Sequence, residues 1–133
     1  MTEEKKKNHA LLIVEDNPLL LSAYQKGFEQ EGVNVFVAYG GEEGLQIVRE
    51  QKPDVVLLDL AVHGMGGLEV LKHIKSDPAI KETVVIIFTM SEREEDHAEA
   101  IKLGADAYLI KSQYSLEEVI GLVSKFTRPF KKG

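Results

Sequence analysis

Apolar residues in this chain are concentrated in five short runs, and the stretches between the runs have helical periodicity. Within each run the Val, Ile and Leu residues are continuous and do not alternate with polar residues, which is typical of strands covered on both faces. The pattern therefore predicts a parallel sheet with helices above and below it. The predicted strands span residues 10–14, 33–38, 55–59, 83–89 and 107–110.

The stretch after the first run carries signals for the start and the end of a helix. Asn17 is a suitable cap, Pro18 fits the first helical turn, and Gly32 is expected to end the helix. One face of this helix is apolar at every fourth position, which predicts that this face packs on the sheet. Its residues are Leu20, Tyr24 and Phe28.

Helices two and three are predicted at about 41–51 and 66–76, and Pro78 closes the second of these. Leu45 and Val48 in helix two are expected to face the core. In helix three the same is expected of the two leucines of the helical face, Leu68 and Leu71.

The last two helices each begin with the pattern of a capping box, in which a serine is followed by a glutamate three residues later. Ser91 and Glu94 open helix four, which ends at Gly104, and Ser115 and Glu118 open helix five. Helix five has the clearest apolar face, with a period of 3.6 residues. This face consists of Leu116, Val119, Ile120, Val123 and Phe126.

Five strands that alternate with five helices predict an α/β fold with a doubly wound parallel sheet, and the expected strand order is the flavodoxin-like order 2-1-3-4-5. The 133 residues suit one domain, which we place at 10–127. We expect residues 1–9 and 128–133 to be flexible tails.

Composition and charge narrow the function further. The chain has no cysteine, which excludes disulfides and thiolate chemistry, and it has no apolar run long enough to cross a bilayer. The formal net charge is −6 at pH 7, which disfavours binding to nucleic acid and is compatible with a hard metal ion. A cytoplasmic protein that binds neither nucleic acid nor membrane is predicted.

Polar residues stand where four of the five predicted strands end. In this fold the carboxyl ends of the strands meet at one edge of the sheet, and ligands bind there. Each residue taken alone has a structural explanation, such as a helix cap for the acidic pair or a surface charge for the lysine. Taken together, they predict three carboxylates, a hydroxyl and an amine at one edge: Glu15, Asp16, Asp59, Thr89 and Lys111.

Three clustered carboxylates repel one another, and a site made of oxygen ligands suits Mg²⁺ or Mn²⁺. Asp16 and Asp59 are the expected direct ligands. A divalent cation beside Asp59 neutralises an incoming phosphoryl group and leaves the carboxylate able to attack phosphorus. Lys111 and Thr89 are expected to contact the phosphoryl oxygens.

Four segments in this order and spacing resemble the receiver domains of bacterial two-component response regulators: LLIVEDNPLLL, PDVVLLDLAVHGMGGLEVL, VVIIFT and GADAYLIK. The resemblance extends over about residues 10–126. It implies a stand-alone receiver in which Asp59 accepts a phosphoryl group from a sensor histidine kinase or a histidine phosphotransfer protein. A receiver of this kind catalyses its own phosphorylation and dephosphorylation and is not a turnover enzyme on an external substrate.

The resemblance also assigns roles to individual residues. Glu15 and Asp16 match the acidic pair of the metal site, and the backbone carbonyl of Ala61 matches a further metal ligand. Thr89 and Tyr108 match the switch pair, in which the hydroxyl moves to the phosphoryl group and the aromatic ring turns inward. This movement repacks the surface of helix four, strand five and helix five, where a downstream target protein binds.

Three positions depart from the family pattern. His63 stands in the loop after Asp59 where the family usually has proline, and we expect it to face solvent and not a metal ion. Met90 replaces a small residue, so its bulk is expected to narrow access to the site. Ser112 replaces the proline after the family's lysine, which predicts that Lys111 is aimed less firmly.

The same residues bear on three alternative functions. A flavin-binding protein needs a phosphate-binding loop where this chain has Asp16, Asn17 and Pro18. A haloacid-dehalogenase-type phosphatase needs a second aspartate where this chain has Ala61. The alternative left open is a pseudo-receiver, a module of the same fold that binds proteins without being phosphorylated.

Overall fold

The computed structural model describes residues 10–127, which form a five-stranded parallel sheet flanked by five helices. The predicted tails at 1–9 and 128–133 lie outside these residues. The strands are β1 Ala10–Val14, β2 Asn34–Ala38, β3 Val55–Leu58, β4 Val84–Thr89 and β5 Ala107–Ile110. The helices are α1 Pro18–Gln30, α2 Gly41–Gln51, α3 Gly67–Ser76, α4 Glu94–Lys102 and α5 Leu116–Thr127.

The strand order is β2-β1-β3-β4-β5, which confirms the predicted topology. In the register of β1 and β3, Leu11 lies opposite Val55 and Val14 lies opposite Leu58. The same register continues one residue beyond the strands, because the Asp59 backbone N–H donates to the Val14 carbonyl at 3.1 Å. The residues that follow β1 and β3 are therefore held side by side at the carboxyl edge of the sheet.

Each face of the sheet has its own apolar core. On one face α2, α3 and α4 cover the sheet, and Val48, Leu71 and Ala100 are fully buried there. On the other face α1 and α5 cover it, with Phe28 and Val119 fully buried. Continuous apolar strands are explained by this arrangement, because both faces of each strand lie against helices.

Two of the three helix starts that the sequence predicted from capping patterns are confirmed. The Asn17 side chain accepts from the backbone N–H groups of Leu19 and Leu20, and Ser115 and Glu118 exchange hydrogen bonds of 2.8 and 3.1 Å. The prediction of a capping box at Ser91 and Glu94 is wrong. Helix α4 begins at Glu94 itself, three residues beyond Ser91, so the Ser91 hydroxyl lies outside the helix and donates elsewhere.

Some residues expected to face the core are placed differently. In α1 the deeply buried leucine is Leu21, whereas Leu20 is only partly buried. Leu68 of α3 is also partly buried, because Val70 and Ile74 fill the core beside Leu71. Phe126, predicted to face the core from α5, is 46% exposed near the end of that helix. Among residues 10–127 no helix has the length and apolar character that crossing a bilayer requires.

Candidate functional site

The predicted convergence of polar residues at the carboxyl edge of the sheet is found in the structure. Glu15, Asp59 and Thr89 are buried there, with 4%, 6% and 2% of their surface exposed. The parallel pairing extends past the strands, since the Glu15 backbone N–H donates to the Ala38 carbonyl. Lys111 directly follows β5, and its ammonium reaches Glu15 and Asp59, the residues that directly follow β1 and β3.

The Lys111 ammonium lies between two buried carboxylates. It donates to Glu15 Oε1 at 2.7 Å and to Asp59 Oδ2 at 2.9 Å. Burial lowers the pKa of Lys111, but the hydrogen bonds to Glu15 and Asp59 and the charges of these carboxylates outweigh it, so the pKa lies above its ordinary value. The expectation that Lys111 is loosely aimed without a following proline is therefore wrong, because the two carboxylates fix the ammonium.

An aromatic pair beneath Lys111 was not predicted from the sequence. The Lys111 Nζ atom stands 5.6 Å from the centroid of the Phe88 ring, within the range of a cation–π contact. Phe88 in turn meets Tyr24 of α1 edge to face, with ring centroids 5.3 Å apart. Both rings are buried in the core to which α5 contributes, so neighbouring side chains hold the Phe88 ring in place next to the Lys111 ammonium.

Three carboxylate side chains form a cluster at the carboxyl edge of the sheet. Single oxygens of Glu15, Asp16 and Asp59 lie within 4.8 Å of one another. Among the described residues, Lys111 contacts Glu15 and Asp59 of this cluster, and the His63 Nδ1 atom lies 3.4 Å from Asp16 Oδ2. Three carboxylates against one ammonium leave two excess negative charges, and this oxygen-rich donor set fits a hard divalent cation.

The loop after Asp59 is tied to both neighbouring elements. The Ala61 backbone N–H donates to Asp59 Oδ1 at 3.1 Å, which leaves Oδ2 to Lys111. Glu42 in the first turn of α2 accepts from the Met65 backbone N–H at 3.0 Å. A side chain at Gly67 would come within 2.5 Å of the Asp59 carbonyl oxygen, so α3 can start this close to β3 only with glycine.

His63 occupies the same loop and faces solvent, as expected, with 72% of its side chain exposed. Its backbone carbonyl accepts from the Gly41 N–H at 3.3 Å, which connects the loop to the start of α2. His63 is not among the residues whose ligand atoms cluster within reach of one ion, which are all carboxylates.

A cavity of about 430 Å³ opens beside Asp59. Asp59, Ala61 and Thr89 line its inner end, and Leu68 and Met90 contribute apolar surface. Met90 is 63% exposed, so its side chain stands at the opening and does not fill the cavity. The expectation that the bulk of Met90 narrows access to the site stays a prediction.

The two residues predicted to act as a switch are linked through a third residue. Thr89 Oγ1 accepts from the Ser91 backbone N–H over a long 3.4 Å, and the Tyr108 hydroxyl donates to the Ser91 carbonyl at 3.2 Å. The Tyr108 ring is half-buried and lies against the cluster that contains the core of α4. The sequence predicts only a helix cap at Ser91 and not this link between Thr89 and Tyr108. The signal for the link is the position of Ser91, two residues after Thr89.

Comparison with known proteins identifies a family for this arrangement. The model of the response regulator receiver domain matches residues 11–123. Among solved structures, the receiver domain of the Francisella response regulator 1452 is 28% identical, with 90% of this chain and 97% of that chain covered and a TM-score of 0.80.

Two further solved structures have the same fold over most of their length. The phosphorylated cyanobacterial phytochrome response regulator RcpA is 27% identical, covers 90% of this chain and 91% of its own, and has a TM-score of 0.77. A CheY-like receiver domain protein from Methanospirillum hungatei is 25% identical, with 90% and 93% covered and a TM-score of 0.80. With the family model spanning nearly all of the described fold, the chain belongs to the response regulator receiver domains.

Proposed function

We propose that this chain is a phosphoacceptor of two-component or phosphorelay signalling and that Asp59 receives the phosphoryl group. The observation that carries the proposal is the setting of Asp59. Its carboxylate is buried and bound by Lys111 at 2.9 Å, and it lines a cavity large enough for a phosphoryl group and the donor's side chain. The donor is a phosphohistidine of a sensor histidine kinase or of a histidine phosphotransfer protein.

The transfer is a substitution at phosphorus. An oxygen of the Asp59 carboxylate forms the new P–O bond, while the P–N bond to the donor histidine breaks and the imidazole keeps the electron pair. Lys111 has three N–H donors, and the structure gives two of them to carboxylates. The third donor and the Thr89 hydroxyl are suited to bind oxygens of the transferred group.

The donor set of the site supports a requirement for Mg²⁺ or Mn²⁺. We assign Glu15, Asp16 and Asp59 as the side chains that hold the ion, with the Ala61 carbonyl as a further ligand. When bound, the ion supplies positive charge that offsets the charges of the phosphoryl oxygens. The carboxylates by themselves repel an anionic donor, so phosphorylation without a divalent cation is expected to be slow.

The consequence of phosphorylation is a change in a protein-binding surface. New phosphoryl oxygens draw the Thr89 hydroxyl and the Lys111 ammonium, and Tyr108 responds through the loop that joins it to Thr89. A downstream target protein then binds at the surface of α4, β5 and α5. The chain catalyses its own phosphorylation and dephosphorylation, and it acts in the cytoplasm without nucleic acid or membrane as a partner.

A related structure supports the same assignment. RcpA, whose fold this chain shares, is described as phosphorylated. The experiment for this chain is incubation with a small-molecule phosphodonor with and without Mg²⁺, for the native protein and Asp59→Asn. Incorporation that needs Mg²⁺ and is lost in Asp59→Asn is the expected result. Incorporation in neither protein contradicts the proposal and favours the pseudo-receiver, a module that binds its partner without phosphorylation.

A further inference from the structure

Ser91 is the residue of the loop between β4 and α4 whose polar groups are all engaged. Its backbone N–H reaches Thr89 Oγ1, and its carbonyl accepts from the Tyr108 hydroxyl. Its hydroxyl donates to Asp96 Oδ2 at 2.5 Å and accepts from the Arg93 N–H at 3.2 Å. Ser91 thus contacts Thr89 beside the phosphoacceptor site, the Tyr108 hydroxyl on β5 and Asp96 in the first turn of α4.

The bond from Ser91 to Asp96 is the strongest of these contacts. It is short and its acceptor is a carboxylate, whereas the Thr89 contact of 3.4 Å is at the limit of a hydrogen bond. Asp96 lies in the first turn of α4, where a negative charge is favoured, and it is 3.9 Å from the Arg93 Nε atom. The helix start therefore fixes the Asp96 carboxylate, and the carboxylate fixes Ser91.

Tyr108 depends on the same loop for its position. Its ring is 4.8 Å from the ring of His97 on α4, and its hydroxyl bond ends on the Ser91 carbonyl. Burial raises the pKa of Tyr108, the hydrogen bond to Ser91 lowers it and the charge of Asp96 raises it, so the pKa lies above its ordinary value. A shift of Ser91 would remove the hydrogen-bond acceptor of the tyrosine.

We propose that the Ser91–Asp96 hydrogen bond is the positioning contact that couples the acceptor site to Tyr108. Ser91 and Asp96 are positioning residues: they hold the Ser91 carbonyl where the Tyr108 hydroxyl reaches it and the Ser91 N–H where Thr89 reaches it. This inference rests on the proposed function, because it names the residues that pass the signal of a phosphoryl group on Asp59 to the α4–β5–α5 surface.

The proposal has a thermodynamic consequence. The proposal holds that this bond favours the arrangement of Thr89 and Tyr108 that a phosphoryl group also favours. Breaking the bond must then weaken the binding of a phosphoryl analogue by the factor through which the bond and the analogue are coupled. Loss of one charge-assisted hydrogen bond predicts a weakening of about three- to tenfold. An equal weakening is not expected from a serine that only caps a helix.

The chain offers a matched control for this test. Ser115 also stands at a helix start, where its hydroxyl accepts from the Glu118 N–H, but it contacts neither Thr89 nor Tyr108. Ser91→Ala should weaken beryllofluoride binding in the presence of Mg²⁺ by about three- to tenfold and shift the NMR signal of the Tyr108 ring. Ser115→Ala should do neither, and Ser91→Thr, which keeps the hydroxyl, should restore both properties.

Variants of Asp96 separate the hydrogen bond from the charge. Asp96 also lines the cavity beside Asp59, so its charge by itself disfavours an anionic ligand. Asp96→Asn keeps an acceptor for the Ser91 hydroxyl and should retain or strengthen beryllofluoride binding, whereas Asp96→Ala should weaken it. Equal strengthening in both variants would overturn the proposal, because Asp96 would then act through its charge alone.

The Tyr108 signal is read in the unliganded protein as well, so this inference and the proposed function can fail separately. Absence of beryllofluoride binding in the native protein would contradict the proposed function. An unchanged Tyr108 ring signal in Ser91→Ala without ligand would overturn the positioning role of Ser91. A shifted signal in that variant, with an unchanged signal in Ser115→Ala, supports it.

Discussion

Two partly buried lysines lie at opposite ends of the same sheet and have different surroundings. Lys75 donates to the carbonyls of Lys81 and Thr83 and to Asp106 Oδ2, so its three N–H donors have three acceptors. Lys111 donates to Glu15 and Asp59. The two side chains are similarly shielded, with 18% and 12% of their surface exposed.

The difference lies in the balance of charge and of hydrogen bonds. At the Lys75 end one ammonium faces one carboxylate, and Asp106 Oδ2 also accepts from the Val85 N–H at 2.8 Å. At the Lys111 end one ammonium faces the three carboxylates of the cluster, and it has one donor more than it has carboxylate partners. The first arrangement is complete without any ligand, whereas the second leaves charge and a donor for a cation and an anion.

Removal of Lys75 is expected to have the largest effect on stability. Lys75→Met deprives three acceptors of their donor and should lower the free energy of unfolding by about 2–3 kcal/mol. Urea denaturation measures the loss, and Lys72→Met, an exposed lysine of the same helix, is the control that should change little. If Lys75→Met were as stable as the native protein, the contrast between the two ends of the sheet would fail.

Removal of Lys111 should change two affinities in opposite directions. Lys111→Met takes a positive charge from a cluster that has an excess of carboxylates, so Mg²⁺ should bind about threefold more tightly or better. The same change removes a charge-assisted donor, so beryllofluoride should bind at least about tenfold more weakly. Isothermal titration with each ligand measures both effects. A fall in both affinities would show that Lys111 serves mainly to hold the fold.

Binding of Mg²⁺ should stabilise the native protein through its carboxylate end. At five times its Kd the ion is expected to add about 1 kcal/mol to the free energy of unfolding. Asp16→Asn should lose most of this increment, whereas Asp54→Asn, at the opposite end of the sheet, should keep it. An equal increment in Asp16→Asn would place the ion elsewhere.

The smallest effect is expected from the aromatic ring beneath Lys111. Phe88→Leu keeps an apolar side chain but loses the cation–π contact, so beryllofluoride affinity should fall about twofold to fivefold. Phe28→Leu is the packing control, because Phe28 is buried in the same core and has no contact with Lys111. The same loss of affinity in both variants would mean that core packing, and not the ring face, supports the lysine.

The fold was predictable from the sequence because its signals are local or periodic. The strand order and two capped helix starts, at Asn17 and Ser115, followed from runs of apolar residues and short cap patterns. The failure at Ser91 has a physical reason. The same Ser-x-x-Glu pattern occurs at 91–94 and 115–118, but only at 91–94 do the hydroxyl and the carbonyl have other partners, Asp96 and Tyr108.

The members of the candidate site were predictable, whereas their geometry was not. Fold topology places the ends of β1, β3 and β4 together, which brought Glu15, Asp59 and Thr89 to one edge. The aim of Lys111 depends on carboxylates 52 and 96 positions away and on the Phe88 ring, and no local pattern encodes such contacts. The missing proline therefore led to an expectation that long-range electrostatics overrule.

The most direct test of the account is to locate the phosphoryl group on the chain. Borohydride reduces an acyl phosphate of aspartate to homoserine, which peptide mass spectrometry assigns to a position. After treatment with a small-molecule phosphodonor and Mg²⁺, the account predicts homoserine at position 59 and at no other aspartate, and much less of it after the same time without Mg²⁺. Homoserine at position 16 would contradict it, and so would an unmodified residue at position 59 in a protein that has been phosphorylated.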